Sequence, residues 1–209
     1  MKLAIFGATG RTGMPLVQQA LNGGYEVVVL VRNPSKMSLR NDRLTVIQGD
    51  AMSSPDVEQA VKGTDAVISV LGRRKDSPKD MQTIAMRAIV TAMQKYGIKR
   101  LVSLTGAGVA APQDKPKLFN YLIKIALKLL SGEVLKDAQQ HVEVIKKSQL
   151  DWVIVRGPML NDGPHTGKYR VGWVGVNTGV RISRADVADF LLKQVTDNTY
   201  LHQLPMISE

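Results

Sequence analysis

The amino-acid sequence predicts an α/β fold, a doubly wound parallel sheet in a single domain over residues 1–209. Three observations lead to this prediction. A glycine-rich loop follows the first apolar run, short apolar runs alternate with helical patterns, and the chain has the length of about one domain. We therefore expect any substrate pocket to lie in this same domain, formed by loops and helices of the C-terminal half.

The run from Leu3 to Phe6 is the first predicted strand, and it leads directly into the sequence GATGRTG at residues 7–13. Glycines three residues apart allow a tight turn and a close approach of the backbone to a pyrophosphate. The helix that follows offers free N–H groups at its N-terminus. The loop predicts a dinucleotide cofactor, with a plain structural turn as the alternative. The proposed contacts are Gly7, Thr9, Gly10, Arg11, Thr12 and Gly13.

The second predicted strand, Val27 to Val31, ends where such folds choose between the two nicotinamide cofactors. An acidic residue there would bind the ribose 2′-hydroxyl and repel a 2′-phosphate, but this chain has Arg32. Lys36 follows in a polar turn, and Arg11 adds a further cation. The sequence therefore favours NADP(H), with ordinary solvated surface cations as the alternative for all three side chains.

Further along, four strand-like runs alternate with helical patterns, as in a parallel α/β sheet. These strands are predicted at 44–48, 66–71, 100–104 and 152–156. One helix opens at Ser54 and Pro55. In another, over about 79–96, apolar residues recur at three- and four-residue steps, so one stripe is expected to face the sheet.

Ligands of such sheets bind outside the carboxyl ends of the strands, so the loops there are the candidate site. Asp50 is expected to accept a hydrogen bond from an adenine amino group, with a turn or helix cap as the alternative. Gly72 lets the backbone pass close to ribose and phosphate. Arg73, Arg74 and Lys75 after it are expected to contact phosphate or substrate carboxylates, with a solvated loop as the alternative. The further cofactor contacts predicted in these loops are Asp50, Ala51, Leu71, Gly72, Arg73, Thr105, Gly106, Pro158 and Met159.

Composition excludes several other classes of site. The chain has no cysteine, which excludes disulfides, thiolate metal sites and cysteine nucleophiles. The net charge of +10 is spread along the sequence, so we expect anionic ligands and no nucleic-acid partner. We expect no metal site, no membrane span and no signal peptide. We expect a cytoplasmic protein that is a monomer or a weak homodimer.

Several segments together resemble the atypical short-chain dehydrogenases that include NmrA-like proteins and, more closely, the flavin reductase or biliverdin IXβ reductase family. The resemblance covers nearly the whole chain. The pattern P-x-T-G-x-Y at residues 164–169 is the part typical of that closer branch. The resemblance implies hydride transfer from NADPH to a small planar acceptor: a flavin, a quinone or an open tetrapyrrole. The segments are 4–13, 24–27, 29–32, 49–50, 65–68, 71–72 and 164–169.

Two departures from the family fall on the expected nicotinamide side. Gly106 stands where the family has a serine, and Met159 where it has a histidine. The Tyr-x-x-x-Lys pair of ordinary short-chain dehydrogenases is missing as well, since Tyr121 has no lysine four residues on. Thr105 and His165 are the remaining catalytic candidates, Thr105 as a hydrogen-bonding hydroxyl and His165 as a titratable group.

The same departures support a second function, that of an NmrA-like sensor that binds NADP without turnover and signals to a protein partner. A sugar-nucleotide isomerase or epimerase is a third, weakened by the short C-terminal part. The apolar segment Lys117 to Leu130 is interpreted as a pocket lid, a dimer contact, a membrane-surface helix or a core helix. The sequence does not decide among these.

Overall fold

The computed structural model describes residues 1–73, 76–116 and 118–209, and of residues 118–131 the backbone alone. Ten strands and five helices form this part of the chain. The strands are β1 (Lys2–Phe6), β2 (Glu26–Val31), β3 (Leu44–Gln48), β4 (Ala66–Ser69), β5 (Arg100–Gly106), β6 (Asp151–Gly157), β7 (Met159–Asn161), β8 (Arg170–Gly172), β9 (Arg181–Ser183) and β10 (Met206–Ser208). The helices are α1 (Gly13–Asn22), α2 (Ser54–Val61), α3 (Met81–Lys95), α4 (Leu118–Lys146) and α5 (Arg184–Lys193).

Eight strands form the main sheet in the order β3-β2-β1-β4-β5-β6-β10-β8. The chain runs outward from β1 to β3 and then crosses to β4, so the order reverses between β1 and β4. All neighbours are parallel except β10 and β8, which are antiparallel. This confirms the predicted doubly wound sheet and adds an antiparallel edge strand. Strands β7 and β9 pair separately, in parallel.

Helices cover both faces of the sheet, so its central strands are buried on both sides and consist of continuous apolar runs. One core layer contains the buried faces of α1 and α5. The other contains those of α2, α3 and α4. Helix α3 buries more than the single stripe that was predicted, including Gln82, Thr83, Met86 and Val90, because α2 and α4 flank it.

Two strands near the candidate site, β4 and β5, end at residues other than the predicted ones. Strand β4 ends at Ser69, so Leu71 lies in the loop after it, whereas β5 continues to Gly106. Thr105 and Gly106 are therefore the last residues of a strand and not part of the following loop. Lys117 and the side chains of 118–130 lie outside the described residues, although the backbone of 118–130 belongs to α4. Within the described ranges, no helix is long and apolar enough to cross a membrane.

Candidate functional site

The glycine loop closes tightly between β1 and α1. Gly7 has a φ of +85°, and a Cβ atom there would lie 2.8 Å from the backbone carbonyl carbon of Val70. A Cβ atom on Gly13 would lie 2.2 Å from the Gly7 carbonyl oxygen. The Gly10 amide donates to that same oxygen at 3.0 Å. The loop thus needs glycine at both ends to fold back on itself.

The loop presents exposed backbone above the N-terminus of α1. Thr9, Gly10 and Arg11 are exposed, whereas Thr12 is buried at the N-cap position and its side chain makes no capping hydrogen bond. The sequence predicts free N–H groups at the start of α1, but the Met14 amide donates to the Gly10 oxygen at 3.0 Å and Pro15 has no N–H group. The positive end of the helix dipole and the exposed loop remain to receive a phosphate. The arrangement fits a bound pyrophosphate, as the spacing of the glycines predicts.

Arg11 is tied to the C-terminal half of the chain by an ion pair with Asp162, which follows β7. Asp162 also pairs with Arg184, the first residue of α5, at 2.7 Å. The hydrogen bond from Arg11 lowers the pKa of Asp162 below its ordinary value. Both members of the Arg11 pair are more than half exposed, so solvent screens it. The contact of Arg11 with a 2′-phosphate stays a prediction.

Arg32 is exposed directly after the last residue of β2. Within the described part of the chain it has no acidic partner. The Asn33 side chain accepts hydrogen bonds from the Ser35 amide at 3.0 Å and hydroxyl at 2.7 Å, which closes a short 3-10 turn over 34–36. Lys36 is exposed at the end of this turn. The carboxyl end of β2 therefore carries two cations that are open to an anionic ligand.

At the end of β3, Asp50 uses one carboxylate oxygen within its own turn. That oxygen accepts a hydrogen bond from the Met52 amide at 2.9 Å. The Asp50 amide in turn donates to Asp56 at 2.9 Å, and Ala51 packs against the core. The turn role considered as the alternative is thus present, and the adenine contact of Asp50 stays a prediction for its second oxygen.

The loop after β4 leaves space at the sheet edge. Leu71 packs against the core, and Gly72 is exposed with no atom within 4 Å of a Cβ built on it. Arg73 is half-buried, whereas Arg74 and Lys75, which were considered as phosphate or carboxylate contacts, lie outside the described residues.

At the carboxyl end of β5, Thr105 carries a buried hydroxyl that has no hydrogen-bond partner among the described residues. The residue is only 6% exposed. Alternation along the strand places it on the same face as Ser103, which contacts His141 of α4 at 3.4 Å. Buried hydroxyls are ordinarily satisfied, so this one is an exception in the described part of the chain. Gly106 beside it is exposed and has open space around it.

Across the β5–β6 ladder, Thr105 lies opposite Arg156, a residue that sequence reasoning missed as part of the site. Arg156 is 0% exposed. Its guanidinium donates to both carboxylate oxygens of Asp114, at 2.8 and 2.7 Å. It also donates to the backbone oxygens of Val109 and Leu204, at 2.9 and 2.8 Å. The signal available in the sequence was a charged residue that directly extends the apolar run Trp152 to Val155.

Burial raises the pKa of Asp114, but the hydrogen bonds from Arg156 and from backbone amides outweigh burial and hold the pKa below its ordinary value. The amides are those of Ala111 at 2.8 Å and Val174 at 3.0 Å. Asp114 is therefore a charged carboxylate at neutral pH.

The P-x-T-G-x-Y segment is held on α5. The amides of Thr166 and Gly167 both donate to Asp186 at 2.8 Å, and the Thr166 hydroxyl adds a bond of 2.9 Å. Burial raises the pKa of Asp186, but these hydrogen bonds outweigh it and leave the pKa below its ordinary value. Farther along, Tyr169 donates to Asp189 at 2.6 Å.

His165 is half-exposed, with its Nε2 atom 3.5 Å from Asp189 Oδ1 on α5. Helix α5 belongs to the layer that contains α1, whereas Thr105 faces the layer of α3 and α4. The structure therefore does not bring the two catalytic candidates together. Pro158 is half-buried after β6, and Met159 begins β7 with 67% of its surface exposed.

A buried polar layer lies between α3 and α4. Asp137 of α4 accepts hydrogen bonds from the amides of Gln82 and Thr83, both at 3.0 Å, and so caps the start of α3. One turn later His141 is 2% exposed. Burial lowers its pKa to about 4, although the charge of Asp137 acts in the opposite direction.

Comparison with known proteins bears on this geometry. The profile of a family described as NAD(P)H-binding matches residues 7–198. An uncharacterized chloroplastic protein of Arabidopsis thaliana is 30% identical over 79% of the chain, which spans 61% of that protein's length. The reductase pytE of Aspergillus terreus is 24% identical, with 92% of this chain and 90% of the reductase covered.

Solved structures share the fold over the whole chain. The anaerobillin reductase ChuY of Escherichia coli O157:H7 has a TM-score of 0.81 and 23% identity, with 100% of this chain and 97% of that chain covered. A short-chain dehydrogenase/reductase of Veillonella parvula, solved in complex with NADP, has a TM-score of 0.78 and 21% identity, with coverages of 100% and 94%. At these identities the likeness shows the fold alone.

Proposed function

Because the chain belongs to the NAD(P)H-binding family, we propose that it is an NADPH-dependent reductase of a flavin or a similar planar acceptor, such as a quinone or an open tetrapyrrole. The observation that carries the proposal is the combination of two features at the carboxyl ends of the neighbouring strands β1 and β2. The glycine loop leaves exposed backbone at the N-terminus of α1, and Arg32, at the end of β2, has no acidic partner in the ranges that the structure describes. The first suits a pyrophosphate and the second a 2′-phosphate.

Bound NADPH would supply the hydride, and the chain's own residues would hold and orient it. Residues 7–13 provide the phosphate cradle. Arg32 and Lys36 select the 2′-phosphate, and Asp50 with Ala51 borders the adenine. The backbone at Leu71 and Gly72 lies along the middle of the cofactor, with Arg73 beside it.

Thr105 is the proposed polar contact on the nicotinamide side, since its hydroxyl is buried and no described residue hydrogen-bonds to it. Gly106, Pro158 and Met159 border the same end and leave room for a flat acceptor. Hydride transfer to a flavin needs no protein nucleophile. His165 is the titratable group proposed as a proton source. Because it lies on the other face of the sheet from Thr105, solvent is the alternative source.

Two proteins similar to this chain, pytE and ChuY, are named as reductases, which supports a reductase. The zero cysteine count also suits a reducing compartment. We propose that the protein acts on a small molecule in the cytoplasm, as a monomer or a weak homodimer.

The test is to mix the purified protein with NADPH and to follow the absorbance of the reduced nicotinamide. FMN, a quinone and biliverdin are supplied in separate reactions, with NADH and Arg32→Asp as controls. We expect oxidation with one acceptor that depends on Arg32. His165→Gln then separates the two proton sources, because an unchanged rate assigns the proton to solvent.

A sensor of the NADP state is the second candidate, favoured by glycine at position 106 and methionine at 159, where the family has serine and histidine. Tight NADPH binding without oxidation by any acceptor would overturn the reductase and support the sensor. Weak binding of both nicotinamide cofactors would overturn both.

A further inference from the structure

We infer that the buried Asp114–Arg156 pair positions the wall of the acceptor site beside Thr105 and so sets how well the acceptor is held, without touching it. The inference rests on the proposed function. In this role the two side chains are positioning residues, since they act through the backbone segments that they bind.

The pair lies next to the proposed reaction centre. Arg156 and Thr105 are register partners on adjacent strands, and neighbouring side chains in register share a face of the sheet. The buried hydroxyl of Thr105, which no described side chain or backbone group satisfies, thus has a fully buried guanidinium as its cross-strand neighbour. The strand order reverses between β1 and β4, and β5 and β6 lie on the opposite side of that reversal from β2. This end of the site is therefore the nicotinamide end.

From this place the pair binds three separate segments. Arg156 holds Val109 in the loop after β5 and Leu204 in the segment before β10. Asp114, in the same loop as Val109, accepts from the amide of Val174 in the turn after β8. None of these contacts reaches the glycine loop or the end of β2, so the pair acts on one end of the site only.

The loop after β5 and the turn at 173–176, which Asp114 connects, pack closely against each other. The amide of Lys115 donates to the Val174 oxygen at 2.9 Å. A Cβ atom on Gly175 would lie only 1.9 Å from the Lys115 oxygen. The loop after β5 and the turn at 173–176 therefore move as one unit, and the charge pair fixes that unit to β6.

Stability alone does not account for a charge pair here. Replacement of a buried ion pair by well-packed apolar residues is often neutral or stabilising, because the charges lose their hydration. What an apolar pair cannot reproduce is directional hydrogen bonding to chosen backbone groups. A misplacement of about 1 Å in a reacting site can cost about a hundredfold in rate, so such directionality matters most beside the acceptor.

The experiment compares the wild type with Arg156→Lys, Asp114→Asn and the apolar double variant Asp114→Leu/Arg156→Met. Leu21→Ala, a core truncation in α1, is the matched control for loss of stability. The readouts are urea unfolding, the Kd for NADPH, and kcat and KM for whichever acceptor the wild type reduces. Amide hydrogen exchange over 107–116 and 172–176 provides a readout that does not depend on turnover.

We expect the double variant to fold and to bind NADPH within about threefold of the wild type, while its acceptor kcat/KM falls by about 30- to 100-fold. Amide exchange in the two loops rises. Arg156→Lys keeps the charge but loses the forked geometry. Its free energy of unfolding should therefore lie closer to the wild-type value than its acceptor KM does. Leu21→Ala loses stability and leaves acceptor KM unchanged.

A double variant with wild-type acceptor kinetics and wild-type exchange would overturn the inference. So would a double variant that does not fold, because the pair would then serve folding. A wild type that reduces no acceptor refutes the proposed function instead, and unchanged exchange in the two loops of the variants would still count against the inference.

Discussion

His141 should make the folded state sensitive to acid. It is buried beside Ser103, and burial lowers its pKa from 6.5 to about 4. The unfolded chain therefore takes up the proton before the folded chain does. Above about pH 6.5 His141 does not reduce the free energy of unfolding. As the pH falls from there toward 4, the free energy of unfolding decreases.

The size of the effect follows from the two pKa values. Between about pH 7.5 and about pH 4.5, proton uptake by the unfolded state alone lowers the free energy of unfolding by about 2.5 kcal/mol. His141→Gln keeps a polar side chain near Ser103 and removes the titration. The variant should therefore lose about 2.5 kcal/mol less than the wild type over this range.

Urea unfolding at the two pH values measures the difference directly. Val142→Ala is the matched control, since Val142 is the next residue of α4, is 1% exposed and carries no titratable group. The difference in free energy of unfolding between Val142→Ala and the wild type should be the same at both pH values. If the corresponding difference for His141→Gln is also the same at both pH values, the reasoning from burial is refuted.

Three further predictions concern the loops around the site. Gly13→Ala places a carbon 2.2 Å from a loop oxygen, so NADPH binding and thermal stability should both fall, and unchanged affinity in a cofactor titration would contradict the cradle. Asp186→Asn removes the charge that holds the Thr166 amide, so exchange of that amide should rise about tenfold by NMR, and unaltered exchange would show that the bond is dispensable. Asp162→Asn frees Arg11, so NADPH should bind about threefold tighter at low salt and less so at high salt; no change at low salt would mean that Arg11 does not face phosphate.

The glycine loop and the first strands could be predicted because their signals are local. The spacing of the glycines, the apolar run before them and the residue after β2 each lie within a few positions of one another. The doubly wound sheet follows from the alternation of such local patterns. The three-residue strands β7 to β10 are too short to show a periodic pattern, and the sequence did not predict them.

The remaining parts of the site depend on contacts between distant positions. Arg156 finds Asp114 and Leu204 more than 40 residues away in either direction, and the Thr166 amide finds Asp186. Periodicity does not encode such pairings. Asp50 shows a different limit, since the same side chain suits a turn and an adenine contact, and only the fold shows that the turn is made.

The most direct test of the account is the affinity of the protein for NADPH and NADH, titrated in the wild type, in Arg32→Asp and in Lys62→Asp. Lys62→Asp reverses the same charge on an exposed residue after α2. We predict that the wild type prefers NADPH, and that Arg32→Asp weakens NADPH by about 10- to 100-fold while NADH changes little, because a charge-assisted contact is lost. Lys62→Asp should change neither affinity. Equal losses of NADPH and NADH in Arg32→Asp, or a wild type that prefers NADH, would contradict the assignment of the 2′-phosphate to Arg32.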